Sequence, residues 1–188
     1  MMKIGIIGSL SSGKTTASKI LSRGRGPLFS ADDAVKNLYN KKKFKKILSQ
    51  KFNINNTRNS KKIIKDKLIN GKLNLKKLEN LIHPFVRKKM SNFTAKNKKR
   101  PFVFYEIPLL VESKLTKKFD IIIFIKAKKT IRLKRFIAKG GNKKLFEILN
   151  KKQLSDKKKI KFCDHVVVNE SNLKILNKNL SDIITRYE

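Results

Sequence analysis

The chain has 188 residues, 39% of them hydrophobic, enough apolar material for one packed domain with a small insertion. Its 48 Lys and Arg against 13 Asp and Glu give a formal charge of +35, spread along the whole length without a nucleic-acid-binding signature, which argues against a specific nucleic-acid partner. A single cysteine, Cys163, excludes an internal disulfide, and no apolar run is long enough for a bilayer, so a cytoplasmic setting without a membrane partner or a signal peptide is expected.

The first element is a short apolar run, Lys3–Ile7, which reads as a buried strand. Gly8-Ser9-Leu10-Ser11-Ser12-Gly13-Lys14-Thr15 follows and matches G-x-x-x-x-G-K-[ST] at every fixed position. Thr16–Leu21 then reads as a helix. Strand, glycine loop and helix are the arrangement in which backbone N–H groups and a helix N-terminus cradle a polyphosphate. The pattern therefore implies nucleoside triphosphate binding by Ser11, Ser12, Gly13, Lys14, Thr15 and Thr16. Lys14 is placed to reach the terminal phosphates, and the Thr15 hydroxyl to hold Mg²⁺.

Pro27–Phe29 is a second short strand, and Ser30-Ala31-Asp32-Asp33 follows it directly. A carboxylate there suits proton acceptance from an attacking hydroxyl or a water-mediated hold on Mg²⁺, and it also suits a helix cap. Asp32 is the favoured base and Asp33 the favoured cap. About seventy residues without strand signal come next. Helical spacing recurs over Lys43–Phe52, over Ser60–Ile69 before Asn70-Gly71, and from Leu75 to Met90. Within the last of these, Pro84 is expected to break the helix and fix His83 at a bend beside Arg87, either as structure or as a substrate contact.

Phe102–Tyr105 is the third strand. Glu106, near its end, is placed as a carboxylate that holds Mg²⁺ through water. Beyond Pro108, Glu112 suits either a substrate contact or a lysine partner. Asp120–Ile125 is the fourth strand, followed by two helical runs separated by Lys139-Gly140-Gly141, with the second over Lys144–Gln153. The glycine pair is read as the hinge of a basic lid rather than an ordinary turn. His165–Val168 is the fifth strand, and a structural helix starts at Ser171. Continuous apolar strands alternating with helices predict an α/β fold with a parallel five-stranded sheet of the P-loop NTPase type. A helical insertion and a lid complete the expected fold.

The chain resembles the dephospho-CoA kinases from about residue 3 to residue 186. The phosphate loop with Ser30-Ala31-Asp32 carries the resemblance first. More specific are Ile82-His83-Pro84, then Pro108-Leu109-Leu110-Val111-Glu112, then Gln153 with Cys163-Asp164-His165-Val166-Val167-Val168-Asn169. The resemblance implies a nucleotide-binding core over 1–40, 100–130 and 163–188, a helical CoA-binding insertion over 41–99, and a lid over 131–162. It implies transfer of a phosphoryl group from ATP, with Mg²⁺, to the ribose 3′-hydroxyl of dephospho-CoA. On that basis Asp32 is the base, Asn169 and Lys139 belong to the ATP site, and Lys61, His83, Pro84, Arg87, Leu109 and Glu112 to the acceptor site. Ser9 and Ser11 replace glycines usual in the family, and Lys61 and Lys139 stand where arginine is common. Another small-metabolite or nucleotide kinase of this fold, or a nucleic-acid-binding NTPase, are the competing readings.

Overall fold

The computed structural model describes residues 1–54 and 60–188; the Lys61 side chain lies outside the described residues. In chain order the elements are β1 (Met2–Gly8), α1 (Lys14–Ser22), β2 (Leu28–Ser30), α2 (Ala31–Tyr39), α3 (Lys42–Phe52), α4 (Ser60–Ile69) and α5 (Leu75–Lys96). Then come β3 (Phe102–Glu106), β4 (Ile121–Lys126), α6 (Lys129–Ala138), α7 (Lys143–Lys152), α8 (Asp156–Ile160), β5 (His165–Val168) and α9 (Leu173–Ile184). The five strands form one parallel sheet in the order β2-β3-β1-β4-β5. The chain divides into two compact units, one of Met1–Ser30 with Thr94–Glu188 and one of Ala31–Phe93.

The first unit holds the sheet. Side chains of a strand alternate between its faces, so a strand covered on both must be apolar throughout. Ile4 and Ile6 of β1, with Ile121, Ile123 and Ile125 of β4, face one layer, where Ala17 and Leu21 of α1 and Leu176, Leu180 and Ile184 of α9 close the core. Ile7, Ile122 and Phe124 fill the other face and are also buried. The edge strand β5 departs from the expectation of two-sided burial, because Val166 and Val168 remain 42% and 48% exposed. An outer strand lacks the neighbour that covers an inner one.

In the second unit α2 to α5 enclose a separate core. Leu38, Phe44, Leu48, Ile54, Ile64, Leu78 and Ile82 are among its buried members. Edge-on contacts of Phe44 with Tyr39 and Phe85, at centroid distances of 5.5 and 5.6 Å, fix the aromatic packing. Here the expected bend at Pro84 is corrected. α5 runs unbroken from Leu75 to Lys96 with Pro84 inside it. Proline removes one N–H from the helix ladder, at a cost of about 3 kcal/mol. The apolar stripe of Leu78, Ile82 and Met90, buried before and after the proline, outweighs that loss.

The hinge expected at Gly140-Gly141 is corrected as well. Gly140, at φ 77°, donates its N–H to Ile137 O at 2.9 Å, and Gly141 donates to Phe136 O at 3.1 Å. This double bond back into the last turn is a Schellman stop for α6. A Cβ on Gly141 would stand 2.2 Å from the Phe136 ring. The pair is therefore a helix terminus, packed tightly at Gly141 and open at Gly140, and Asn142 starts α7 at once by accepting the Leu145 N–H at 2.8 Å.

Candidate active site

In an open parallel sheet ligands bind beyond the carboxyl ends of the strands, where the strand order reverses. β1 is that place, since it lies between β3 and β4. The loop after it, from Gly8 to Gly13, leads straight into α1. Gly13 has φ 97°, and a Cβ there would sit 2.1 Å from Asn169 Nδ2. Glycine is required on both counts. Ser11 adopts the same left-handed region at φ 58° despite its side chain.

The loop is held from several sides. Ser9 O accepts from Lys14 Nζ at 2.9 Å and from the Ser12 N–H at 3.1 Å. Ser12 O accepts from Asn169 Nδ2 at 2.8 Å and from Arg135 Nη1 at 3.3 Å. Arg132 Nη1 donates to Leu10 O at 3.4 Å and to Asn150 Oδ1 at 2.8 Å. Asn169, Arg135 and Arg132 each take a loop carbonyl. Lys14, Ser12 and Asn169 are buried. The Ser12 hydroxyl is buried without a hydrogen-bond partner, an orphaned polar atom inside the loop.

The Thr15 hydroxyl donates to Glu106 Oε1 at 2.6 Å, and Ser18 donates to Glu106 Oε2 at 3.4 Å. Glu106 ends β3 and is 1% exposed. Spending the hydroxyl proton on Glu106 leaves the Thr15 oxygen lone pairs available. Hydroxyl and carboxylate oxygens are the hard donors that Mg²⁺ takes. These residues therefore fit the ion. Among the described residues, no group of three or more His, Cys, Asp and Glu could hold a metal unaided. An ion there needs the oxygens of a phosphate ligand to complete its shell.

The structure thus brings Ser11, Ser12, Gly13, Lys14, Thr15, Glu106 and Asn169 together. Thr16 is on α1 and exposed, and Lys139 is exposed at the end of α6. Leu109 is half-buried in the turn after β3. Glu112 pairs with the fully buried Lys159 at 2.8 Å and accepts the Leu154 N–H at 3.0 Å, which is the lysine-partner alternative. The loop contacts of Arg132, Arg135 and Asp156 escape the sequence reading. The only available signal is that two of the chain's eight arginines fall three apart on one helix amid abundant lysine.

Asp32 and Asp33 open α2 in the second unit. Asp32, Val35, Lys36 and Tyr39 occupy one face of that helix, and with Ile64 and Lys65 they line a cleft of about 350 Å³. Burial pushes the Tyr39 phenol up to about 12. On α5, His83 is half-buried, while Pro84 and Arg87 are exposed. Burial and then the Arg87 charge hold the His83 imidazole below its ordinary pKa, so it is neutral at pH 7. The acceptor role expected for Lys61 concerns a side chain outside the described residues.

The family model described as dephospho-CoA kinase matches residues 2–174. The dephospho-CoA kinase of Bartonella quintana is 32% identical over 189 residues, covering 98% of this chain and 97% of that protein. Among solved structures, a Thermus thermophilus protein superposes with a TM-score of 0.78 at 24% identity, over 98% of this chain and 97% of its own. The dephospho-CoA kinase of Campylobacter jejuni gives 0.62 at 21% identity, over 99% and 97%. Those two likenesses concern the fold. With the family model and a relative above 30% identity both spanning nearly its full length, the chain belongs to the dephospho-CoA kinase family.

Proposed function

We propose that the chain transfers the terminal phosphoryl group of ATP to the ribose 3′-hydroxyl of dephospho-CoA, giving CoA and ADP. The observation that carries the reading is the bonded pair of Thr15 and Glu106 beside Lys14 at the end of β1, within a chain of this family. The α1 N-terminus and the loop that leads into it, residues 11–16, hold the phosphates. Lys14 leaves the Ser9 carbonyl to bridge the terminal phosphates, where its charge offsets what builds up during transfer. Asn169 and Lys139 border the nucleotide. In this reading Thr15 would hold Mg²⁺ directly and Glu106 and Asp32 would hold it through water, and the ion would supply neutralisation of phosphate charge. The charge borne by the ATP phosphates favours the strongly basic surface as a collecting field. We infer a cytoplasmic enzyme without a specific nucleic-acid partner; no described helix is long and apolar enough to cross a membrane.

Asp32 serves as the base for the acceptor hydroxyl. Its cleft carries Lys36 and Lys65, cations suited to a phosphorylated acceptor, and a volume of the order small ligands use. His83, Pro84, Arg87 and Lys61 of the second unit are the acceptor side in this reading, with neutral His83 suited to hydrogen bonding rather than to charge pairing. The test compares two neighbouring carboxamides. Asp32→Asn lowers kcat by roughly 100-fold, the range for a general base, with ATP affinity nearly unchanged. Asp33→Asn is mild, because asparagine also caps a helix. Damage confined to Asp33→Asn would move the base role by one residue, and two active variants would remove it.

A further inference from the structure

Residues 153–159 touch the loop and the turn after β3 at five points. The Gln153 side-chain oxygen accepts the Leu10 N–H at 3.0 Å. The Asp156 carboxylate accepts the Ser9 hydroxyl. On the other flank, Leu154 N–H donates to Glu112 Oε1 at 3.0 Å, Lys159 Nζ pairs with the same oxygen at 2.8 Å, and Lys159 also reaches Pro108 O at 3.5 Å. Lys159 is wholly buried, and Glu112 Oε2 is buried without a hydrogen-bond partner. A buried ion pair of this kind contributes little net stability, yet breaking it leaves a stranded charge, so it fixes geometry firmly.

We propose that this segment is a strap that preorganises the phosphate loop. Asp156 and Gln153 are its positioning residues, and the Lys159–Glu112 pair is its anchor. Asp156 and Gln153 together fix the peptide between Ser9 and Leu10. That peptide's carbonyl, Ser9 O, in turn seats both Lys14 Nζ and the Ser12 N–H. The strap therefore sets the starting position of the residue that reaches the phosphates, without touching nucleotide itself. A loop held this way loses less freedom when a polyphosphate enters, and a loosened loop must be ordered at the expense of affinity. The proposal rests on the phosphate-loop reading alone and not on the identity of the acceptor.

The experiment is a double-mutant cycle on Ser9 and Asp156, read as the dissociation constant of a fluorescent ADP analogue with Mg²⁺, no acceptor present. Thermal midpoints are recorded alongside. Ser9→Ala and Asp156→Ala are each expected to weaken binding roughly fivefold, the scale of one ordinary hydrogen bond. The double variant should be no weaker than either single. Asp156→Asn keeps an acceptor oxygen and should bind as wild type does, which separates positioning from the charge of the carboxylate. Wild-type affinity in Asp156→Ala, tighter binding there, additive losses, failure of Asp156→Asn to rescue, or a fall in midpoint with unchanged affinity would each overturn the strap. Absence of transfer to dephospho-CoA by the wild type would instead count against the acceptor assignment and leave this cycle readable.

Discussion

Ser11 carries a side chain where the backbone adopts a left-handed conformation, at φ 58°. That conformation costs an L-residue about 1–2 kcal/mol, part of which glycine would give back through its freer unfolded chain. Ser11→Gly is therefore expected to raise stability by about 0.5–1 kcal/mol, measured by denaturant unfolding. A destabilised variant would mean that the Ser11 side chain makes up for the strain. At this scale the phosphate loop was open to reading, because its chemistry needs fixed residue types at fixed spacing. Glu106 was readable as a carboxylate at a strand end. Asp156 was not, since its partner Ser9 lies 147 residues away and nothing local marks the contact. Cys163 offers a contrasting case: burial first, then the neighbouring Asp164 charge, pushes its thiol up to about 12. Its Sγ donates to Lys159 O at 3.1 Å, so it belongs to the packing around the strap rather than to any reactive role.

Among the elements, α6 shows how a stop is built. Phe136 supplies the carbonyl that receives Gly141 N–H, and its ring packs edge-on against Phe146 of α7 with centroids 5.6 Å apart. Gly141→Ala would drive a methyl group into that ring. The expected result is a loss of about 1–3 kcal/mol, the range for overpacking, seen as a lower unfolding midpoint. A variant of wild-type stability, altered only in turnover, would restore the hinge interpretation of the glycine pair. The same comparison shows what the sequence could and could not reveal about elements. The inner strands were legible because runs such as Ile121–Ile125 are apolar at every position. Their neighbour β5 has the same look, but nothing in its own residues tells an edge from an interior. The five residues of α8 are too few and too lysine-rich for a periodic signal. Pro84 misled because its local preference was outweighed by burial along the rest of α5.

At the scale of the molecule, the described residues include one hydrophobic core built on the sheet and another built on helices. Lys14, Thr15 and Glu106 belong to the first unit, and Asp32 with its lysine-flanked cleft belongs to the second. A kinase must bring two anionic substrates together and keep water from competing. The charge of +35 suits both anions and so does not discriminate between acceptors. Acceptor choice is therefore the point on which the account stands. The most direct measurement is ADP release by the purified chain with ATP and Mg²⁺, comparing dephospho-CoA with nucleosides, nucleotides and shikimate at equal concentration. The account predicts that dephospho-CoA alone raises ADP release well above the rate with water, with CoA formed in equal amount. Stimulation by one of the other acceptors, and none by dephospho-CoA, would contradict it.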